Sequence, residues 1–263
     1  MTTKHETTGQ PTERSTGRVI RMSAALDATP EQAWKVLTMP EELSRWFPLR
    51  SGGTPGPDGK VLLSWGDDAE WWTNITVWKP HQHLQWTDTP VPGAPPPLVM
   101  DWYITTEKGK TVVRGVHSGF GAGADWDAMY DGMEAGWTFF MRNLEHYVER
   151  HFGTPRDMVF ARRKTTLPTA TAWQRLTSSD GLEVSGDRMR FGGADGHVEY
   201  AKPGQRLWGT LAGLNDSLLF IEFEGGGESY NVGIWLSTYG LPRARVQQLQ
   251  SEMNDLAARA LEP

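Results

Sequence analysis

The chain carries one pattern twice, in the same order. Ala33-Trp34-Lys35-Val36-Leu37-Thr38 returns as Ala172-Trp173-Gln174-Arg175-Leu176-Thr177, 139 positions further on. Lys79-Pro80-His81-Gln82-His83-Leu84 returns as Lys202-Pro203-Gly204-Gln205-Arg206-Leu207, 123 positions further on. Strand-like segments and then a long helix follow in both copies. Repetition on this scale makes the molecule a pair of small units and not one large core. Within 263 residues each unit has roughly 130, near the commonest domain size. The falling offset makes the second copy 16 residues shorter between the two landmarks.

In the first copy, Arg18 to Leu26 alternates as a strand. Asp27-Ala28-Thr29-Pro30-Glu31 is a helix start: Asp27 or Thr29 can cap, proline suits the first turn, and Glu31 favours the positive end of the dipole. That helix reaches Thr38 and breaks at Met39-Pro40, because proline disfavours helical geometry in the residue before it. A second short helix is expected over Glu41 to Trp46. Strands are expected at Val61–Trp65, Glu70–Trp78, His83–Thr87, Leu98–Thr106 and Thr111–Ser118, separated by turn formers, which argues for an antiparallel sheet. Trp126 to Phe152 is a long helix with Trp126, Tyr130, Met133, Trp137, Phe140, Met141, Leu144 and Val148 on one stripe. Gly132 and Gly136 weaken it by roughly 1 kcal/mol each relative to alanine, unless the backbone must approach a sheet or a ligand there. Phe152-Gly153-Thr154-Pro155 ends the helix and marks the boundary between residues 18–153 and 154–263.

The second copy offers a strand at Met158–Lys164 and a helix at Thr169–Leu176. Further strands are expected at Arg188–Phe191, His197–Tyr200, Leu207–Leu211, Leu218–Glu224 and Tyr230–Ser237. A closing helix, Pro242–Leu261, has Val246, Leu249, Met253, Leu256 and Ala260 on one face. No counterpart of the Pro40–Trp46 helix is visible. The smaller, less aromatic stripe implies that the roomier site lies in the first copy, with the second as a packed structural partner.

Composition narrows the function classes. The absence of cysteine excludes disulfides, thiolate catalysis and cysteine-based zinc sites. A net charge of −6 disfavours nucleic acid, which needs a basic face. No stretch approaches the ~18 apolar residues of a membrane span, and residues 1–17 are polar and Thr-rich, reading as a disordered tail without a signal-peptide core. A cytoplasmic protein is expected. The tilt toward arginine, alanine, glycine and proline points to a GC-rich bacterial source. The outlier is thirteen tryptophans, which suit either large aromatic cores or an aromatic-walled cavity for an apolar ligand.

The order strand, two short helices, antiparallel strands, long C-terminal helix, together with Asp27-Ala28-Thr29-Pro30-Glu31-Gln32-Ala33-Trp34, Leu37-Thr38-Met39-Pro40-Glu41-Glu42-Leu43, Trp46-Phe47 and Gly136-Trp137 running into Asn143-Leu144, resembles the helix-grip superfamily. That superfamily includes START lipid-transfer domains, the birch pollen allergen and polyketide cyclases. The branch it most resembles is the domain named after the C-terminal part of the heat-shock-protein-90 ATPase activator. The resemblance covers Arg18 to Phe152 by motif and Met158 to Leu261 by architecture and the two echoes. It implies an α+β fold of two tandem helix-grip units, the second abbreviated, each a curved antiparallel sheet wrapped around its long helix. It also implies a cavity between sheet and helix. Tandem copies occur in antibiotic biosynthesis clusters, enediyne ones among them, where they are thought to bind, sequester or process polyketide-like products. The implied partner is therefore a hydrophobic small molecule, with no cofactor, no metal and no membrane insertion; a homo-oligomer is compatible. A cyclase- or aromatase-type enzyme is the second reading, and a co-chaperone-like interaction module the third, because one fold hosts many activities.

Within that frame, Trp46, Trp65, Trp72, Met100, Trp102, Tyr130, Met133, Trp137, Phe140 and Met141 are the expected ligand wall. Strand parity puts Leu98, Met100, Trp102 and Ile104 inward, and leaves Glu70–Trp78 ambiguous. Arg114, His117, Glu134 and Tyr103 are the candidates for acid–base work. An inward Arg114 would need an anionic or carbonyl partner; an outward one on a solvated face is the simpler reading. His117 is either a general base or a rim histidine bonded to backbone. His81 and His83 flank a turn without a third ligand at metal spacing. Gly119-Phe120-Gly121-Ala122-Gly123 lacks a phosphate-loop pattern and reads as a loop gating the cavity.

Overall fold

A computed structural model describes residues 17–66, 69–89, 96–178 and 181–263. The tail, Asp67-Asp68, most of the Pro/Gly loop before Leu98, and Ser179-Asp180 lie outside them. The first half runs β1 (Arg18–Leu26), α1 (Pro30–Thr38), α2 (Pro40–Leu43), β2 (Arg50–Thr54), β3 (Lys60–Ser64), β4 (Glu70–Lys79), β5 (His83–Asp88), β6 (Val99–Glu107), β7 (Lys110–Phe120) and α3 (Asp127–Arg150). The second runs β8 (Arg156–Thr165), α4 (Thr169–Leu176), β9 (Glu183–Ser185), β10 (Arg188–Phe191), β11 (Ala194–Lys202), β12 (Arg206–Leu211), β13 (Ser217–Glu224), β14 (Tyr230–Tyr239) and α5 (Arg243–Leu261). Each half forms one seven-stranded antiparallel sheet, ordered β1-β7-β6-β5-β4-β3-β2 and β8-β14-β13-β12-β11-β10-β9. The order is identical, so the repeat is one of topology as well as sequence. The molecule is an α+β pair of helix-grip units, the second lacking the second short helix.

Local chemistry sets the boundaries. Thr29 Oγ1 accepts from Gln32 N–H at 3.2 Å and Gln32 Oε1 accepts from Thr29 N–H at 2.8 Å, a capping box that starts α1 and selects Thr29 over Asp27. Met39 is extended before Pro40, which separates α1 from α2. Two edge strands escape the sequence reading. β2 contains Gly52 and Gly53, and β9 has three residues; both are too short or too glycine-rich to alternate visibly. The ambiguity of β4 has a cause as well. A register shift between Ile75 and Val77 makes Thr73 and Ile75 inward before it and Trp78, packed edge-on to Trp34 at 4.9 Å, inward after it.

The long helix α3 has two buried faces where the sequence suggests one. Trp137, Met141, Leu144 and Val148 pack into the first core. Phe139, Asn143 and His146 are also buried, against the outer face of the second sheet. Phe139 meets Phe220 at 4.7 Å between ring centroids, Ser237 Oγ donates to Asn143 Oδ1 at 2.8 Å, and His146 Nε2 lies 2.6 Å from the carbonyl of Asp216. Arg142 adds an ion pair to Glu199 at 2.6 Å. Farther along, the guanidinium of the half-buried Arg156 donates to the carbonyls of Phe47 and Pro48 at 3.3 and 2.6 Å, and desolvation pulls its pKa down to about 10. Tyr239 of β14 donates to the carbonyl of Arg45 at 2.9 Å. These contacts fix the halves to each other through α3 and the segment after α2, although Arg142 Nε, Asn143 Nδ2, His146 Nδ1 and Arg156 Nη1 stay buried without a hydrogen-bond partner.

Candidate functional site

The first half encloses a cavity of about 580 Å³ between its sheet and the N-terminal part of α3. Trp86 and Met100 come from β5 and β6, Trp71 and Trp72 from β4, and Met133 and Trp137 from α3. This size falls in the usual range for small-molecule sites. Glycine makes room on β7. A Cβ on Gly115 would sit 2.7 Å from the Met100 methyl and 2.9 Å from the Trp102 ring, so only glycine lets β7 pass beneath those side chains. The mouth is apolar too: Trp71, Trp72 and Met129 are 40%, 46% and 48% exposed.

Besides Thr73 and Thr89, three polar groups interrupt this wall. His117, on β7, is 8% exposed. Trp137 Nε1 donates to its Nδ1 at 3.0 Å. The neutral ring then carries its proton on Nε2, leaving that N–H as the remaining donor. Burial lowers the pKa of His117 to about 4, so the ring is neutral near pH 7. Asp88, at the end of β5, has its pKa raised by desolvation. Trp86 Nε1 is buried without a hydrogen-bond partner. The cavity thus presents aromatic and thioether walls, a neutral imidazole and a carboxyl held toward its protonated form.

The structure separates the sequence-derived wall residues into four groups. Trp72, Met100, Met133 and Trp137 line this cavity, as does His117. Trp46 and Trp102 are completely buried and Met141 is 7% exposed; they are packing core, with the Trp46 indole donating to the carbonyl of Val36 at 2.9 Å. Trp65 and Phe140 face a different cavity, between the halves. Tyr130 donates to the carbonyl of Val19 at 3.3 Å and packs on Phe120. The stripe dispersed this way because one helix face spans a sheet, a core and a second cavity along its length.

Among the acid–base candidates only His117 reaches the cavity. Arg114 points outward and pairs with Glu107 at 2.7 Å and with Thr105 Oγ1 at 2.9 Å. Tyr103 stacks on His83 at 4.4 Å on the outer sheet face, where His83 contacts Asp101 at 2.6 Å. Glu134 is exposed. His117 is neither a rim residue nor bonded to backbone, because its strand position points inward and the Trp137 indole supplies its partner. Asp88 and Trp71 also line the cavity; Asp88 ends a strand beside a proline-rich loop, a place with no periodic signal. Among the described residues no group of three or more His, Asp or Glu is placed to hold a metal ion, and no helix is long and apolar enough to cross a membrane.

Residues 27–149 match the model of the family described as Activator of Hsp90 ATPase homolog 1-like protein. No curated protein matches the chain. Among solved structures, the Aha1 dimer from Colwellia psychrerythraea is 18% identical, covering 52% of this chain and 99% of its own, with a TM-score of 0.46. DynU16, from the dynemicin biosynthetic locus, is 16% identical over 92% of this chain and 96% of its own, TM-score 0.43. The di-domain ARO/CYC StfQ from the steffimycin biosynthetic pathway is 13% identical over 91% and 97%, TM-score 0.40. The family match thus falls wholly within the first half of the chain, residues 27–149.

Proposed function

We propose that the first half binds a flat, hydrophobic, polyketide-like aromatic molecule in the cavity between its sheet and α3, as a carrier or sequestering protein. The observation that carries this reading is the wall itself: four tryptophans and three methionines line about 580 Å³, broken by only a few polar groups. Ring stacking on such walls adds roughly 0.5–1.5 kcal/mol per good aromatic pair beyond burial, and methionine adapts to the ligand outline. The His117 Nε2–H would donate to a ligand carbonyl or phenolate, and the Asp88 carboxyl would exchange a hydrogen bond with a hydroxyl.

The chemistry of His117 favours binding over turnover. A general base works best with a pKa near the operating pH. With its pKa lowered to about 4, this imidazole accepts a proton poorly at neutrality and serves better as a fixed hydrogen-bond donor. Titration of the intrinsic tryptophan fluorescence with a panel of aromatic polyketides and fatty acids tests the reading. Saturable quenching by aromatic members, lost in Met133→Trp protein whose circular dichroism is unchanged, is the expected result. Equal responses from wild type and the filled variant would sink it.

A further inference from the structure

A second cavity, of about 730 Å³, lies between the halves. Phe47, Trp65 and Phe140 of the first half face Trp235, Phe223 and Glu222 of the second across it. One of its walls is made of small residues on α3: Gly132, Ala135 and Gly136. Neither glycine is required by packing. A Cβ built on Gly132 meets nothing within 4 Å, and one on Gly136 meets only Phe140 at an ordinary 3.7 Å. Both positions are helical, and each glycine costs the helix roughly 1 kcal/mol relative to alanine. The space they leave is the cavity itself.

The independent sign of a ligand is Glu222. Its side chain is 7% exposed in total, it lines the cavity, and its Oε1 is buried without a hydrogen-bond partner. Arg206 Nη2 stands 3.5 Å from that oxygen, an ion-pair distance without a hydrogen bond. A buried carboxylate oxygen in this condition is costly. Glu224 also lines the cavity and is held by Arg162 at 2.5 Å; Asp131 adds a third carboxylate on the wall against the single lining guanidinium of Arg206. Carboxylates combined with open tryptophan and phenylalanine faces recognise a cation attached to an apolar body, through ion pairing and cation–π attraction.

We infer that the cleft between the two halves is a second ligand site, for an aromatic molecule bearing a protonated amine, with Glu222 as the anchor for the ammonium group. The site is distinct from the cavity inside the first half. Only aromatic packing separates the two: Phe47 of the cleft stacks on Trp137 of the inner cavity at 5.0 Å, and Trp65 of the cleft stacks on Trp71 at 4.9 Å. Desolvation raises the pKa of Glu222 to about 7, opposed by Arg206 and reinforced by Glu224. A bound ammonium favours the ionised carboxyl, so binding displaces a proton and tightens as pH rises through about 7.

The test uses the full chain and three dansyl probes: dansylcadaverine (cationic), dansylamide (neutral) and dansylglycine (anionic). Dansyl emission excited through tryptophan reports binding. Dansylcadaverine should bind at least tenfold more tightly than dansylglycine. Glu222→Gln should remove that preference while leaving dansylamide binding in place. Gly132→Leu should abolish binding of dansylcadaverine while holding or raising the Tm, because leucine is the better helix former and fills cavity space alone. Met133→Trp, which fills the other cavity, should leave dansylcadaverine unaffected. Equal or tighter binding of dansylglycine, undiminished binding in Gly132→Leu, or loss of binding in Met133→Trp would each overturn the assignment. Loss of binding in Met133→Trp would place the probe in the inner cavity; the other outcomes do not bear on whether that cavity takes a neutral aromatic ligand.

Discussion

The two halves share a strand order and differ in what fills the space between sheet and long helix. In the first, tryptophan, methionine and histidine side chains meet around a cavity, and the mouth leaves large apolar groups exposed. In the second, Leu207, Leu219, Ile221, Val232, Ile234 and Leu236 of the sheet meet Leu249, Met253 and Leu256 of α5, all 3% exposed or less. Branched and unbranched aliphatic chains interdigitate to crystal-like density. Large planar rings held by hydrogen bonds and edge contacts leave voids. The second half contributes instead through its outer sheet face, where Tyr200, Trp208, Phe220, Trp235 and Phe160 form a row of rings, with Tyr200 on Trp208 at 4.1 Å and Phe160 on Trp235 at 5.2 Å. Phe139 of α3 packs onto this row. One copy of the fold therefore supplies a container, and the other a platform that holds the container's helix.

The sharpest way to break this comparison is a pair of core truncations. Trp137→Ala removes an indole stacked on Phe47 and hydrogen-bonded to His117, and should cost about 3–5 kcal/mol. Met253→Ala in the filled half should cost roughly 2–5 kcal/mol. Denaturant unfolding measures both. Their effects on ligand should diverge: aromatic quenching disappears with the first and survives with the second. Loss of quenching in Met253→Ala protein that remains folded would show that the second half is more than a platform.

That divergence bears on what the sequence made legible. The repeat, the capping residues around Thr29 and the stripe on α3 were enough to predict two units, most of their strands and the long helices, because those follow from local periodicity; the grip of each sheet on its long helix was implied by the family resemblance. The role of Phe139, Asn143 and His146 was not legible. They lie off the main stripe, and polar residues such as Asn143 and His146 look solvent-facing until a second sheet is known to cover them. The cavity residues split the same way. Met100, Met133 and Trp137 follow from parity and helix phase, whereas Asp88 and Glu222 acquire their character only from burial. Gly132 and Gly136 did leave a trace, as helix-weakening residues without a local reason.

Acid should distinguish the halves' packing from their individual cores. Burial lowers the pKa of His117 to about 4 and that of His146 to about 3, and also lowers that of His151, which lies beside His146 near Asp216. The unfolded chain protonates these rings near 6.5, where the folded one does not. Below that pH the unfolded state binds more protons, so stability falls as pH drops from about 6.5 to 4. For His117 alone the loss approaches roughly 3 kcal/mol at the lower end. Glu222 acts in the opposite sense. Its carboxyl is raised from 4.5 to about 7, so its contribution is present at low pH and lost as pH climbs between those values. Urea unfolding across pH 4–7.5 should show the histidine slope, flattened in His117→Gln and in His146→Gln. An unchanged slope in both variants would refute the assignment to buried neutral rings.

The smallest effect on stability is expected at the cavity mouth, and it sharpens the comparison most directly. Trp72 is 46% exposed and lies against β3, opposite Leu62. An exposed ring contributes little to folding, so Trp72→Ala should change stability by no more than about 1 kcal/mol, close to the range of ordinary surface substitutions. A ligand seated in the cavity would cover that ring, and losing one aromatic contact worth roughly 0.5–1.5 kcal/mol beyond its buried area should weaken binding about tenfold. Tyr200→Ala is the matched control: it removes a ring 38% exposed on the second half's outer face, outside the lining of the first half's cavity. It should leave affinity unchanged at a similar small cost in stability. Two exposed aromatics of comparable burial would then differ only in which half of the repeat they belong to. If both substitutions leave affinity untouched, the exposed tryptophans are surface and not a doorway, and the ligand must enter past the α3 side of the cavity, where Met129 is 48% exposed.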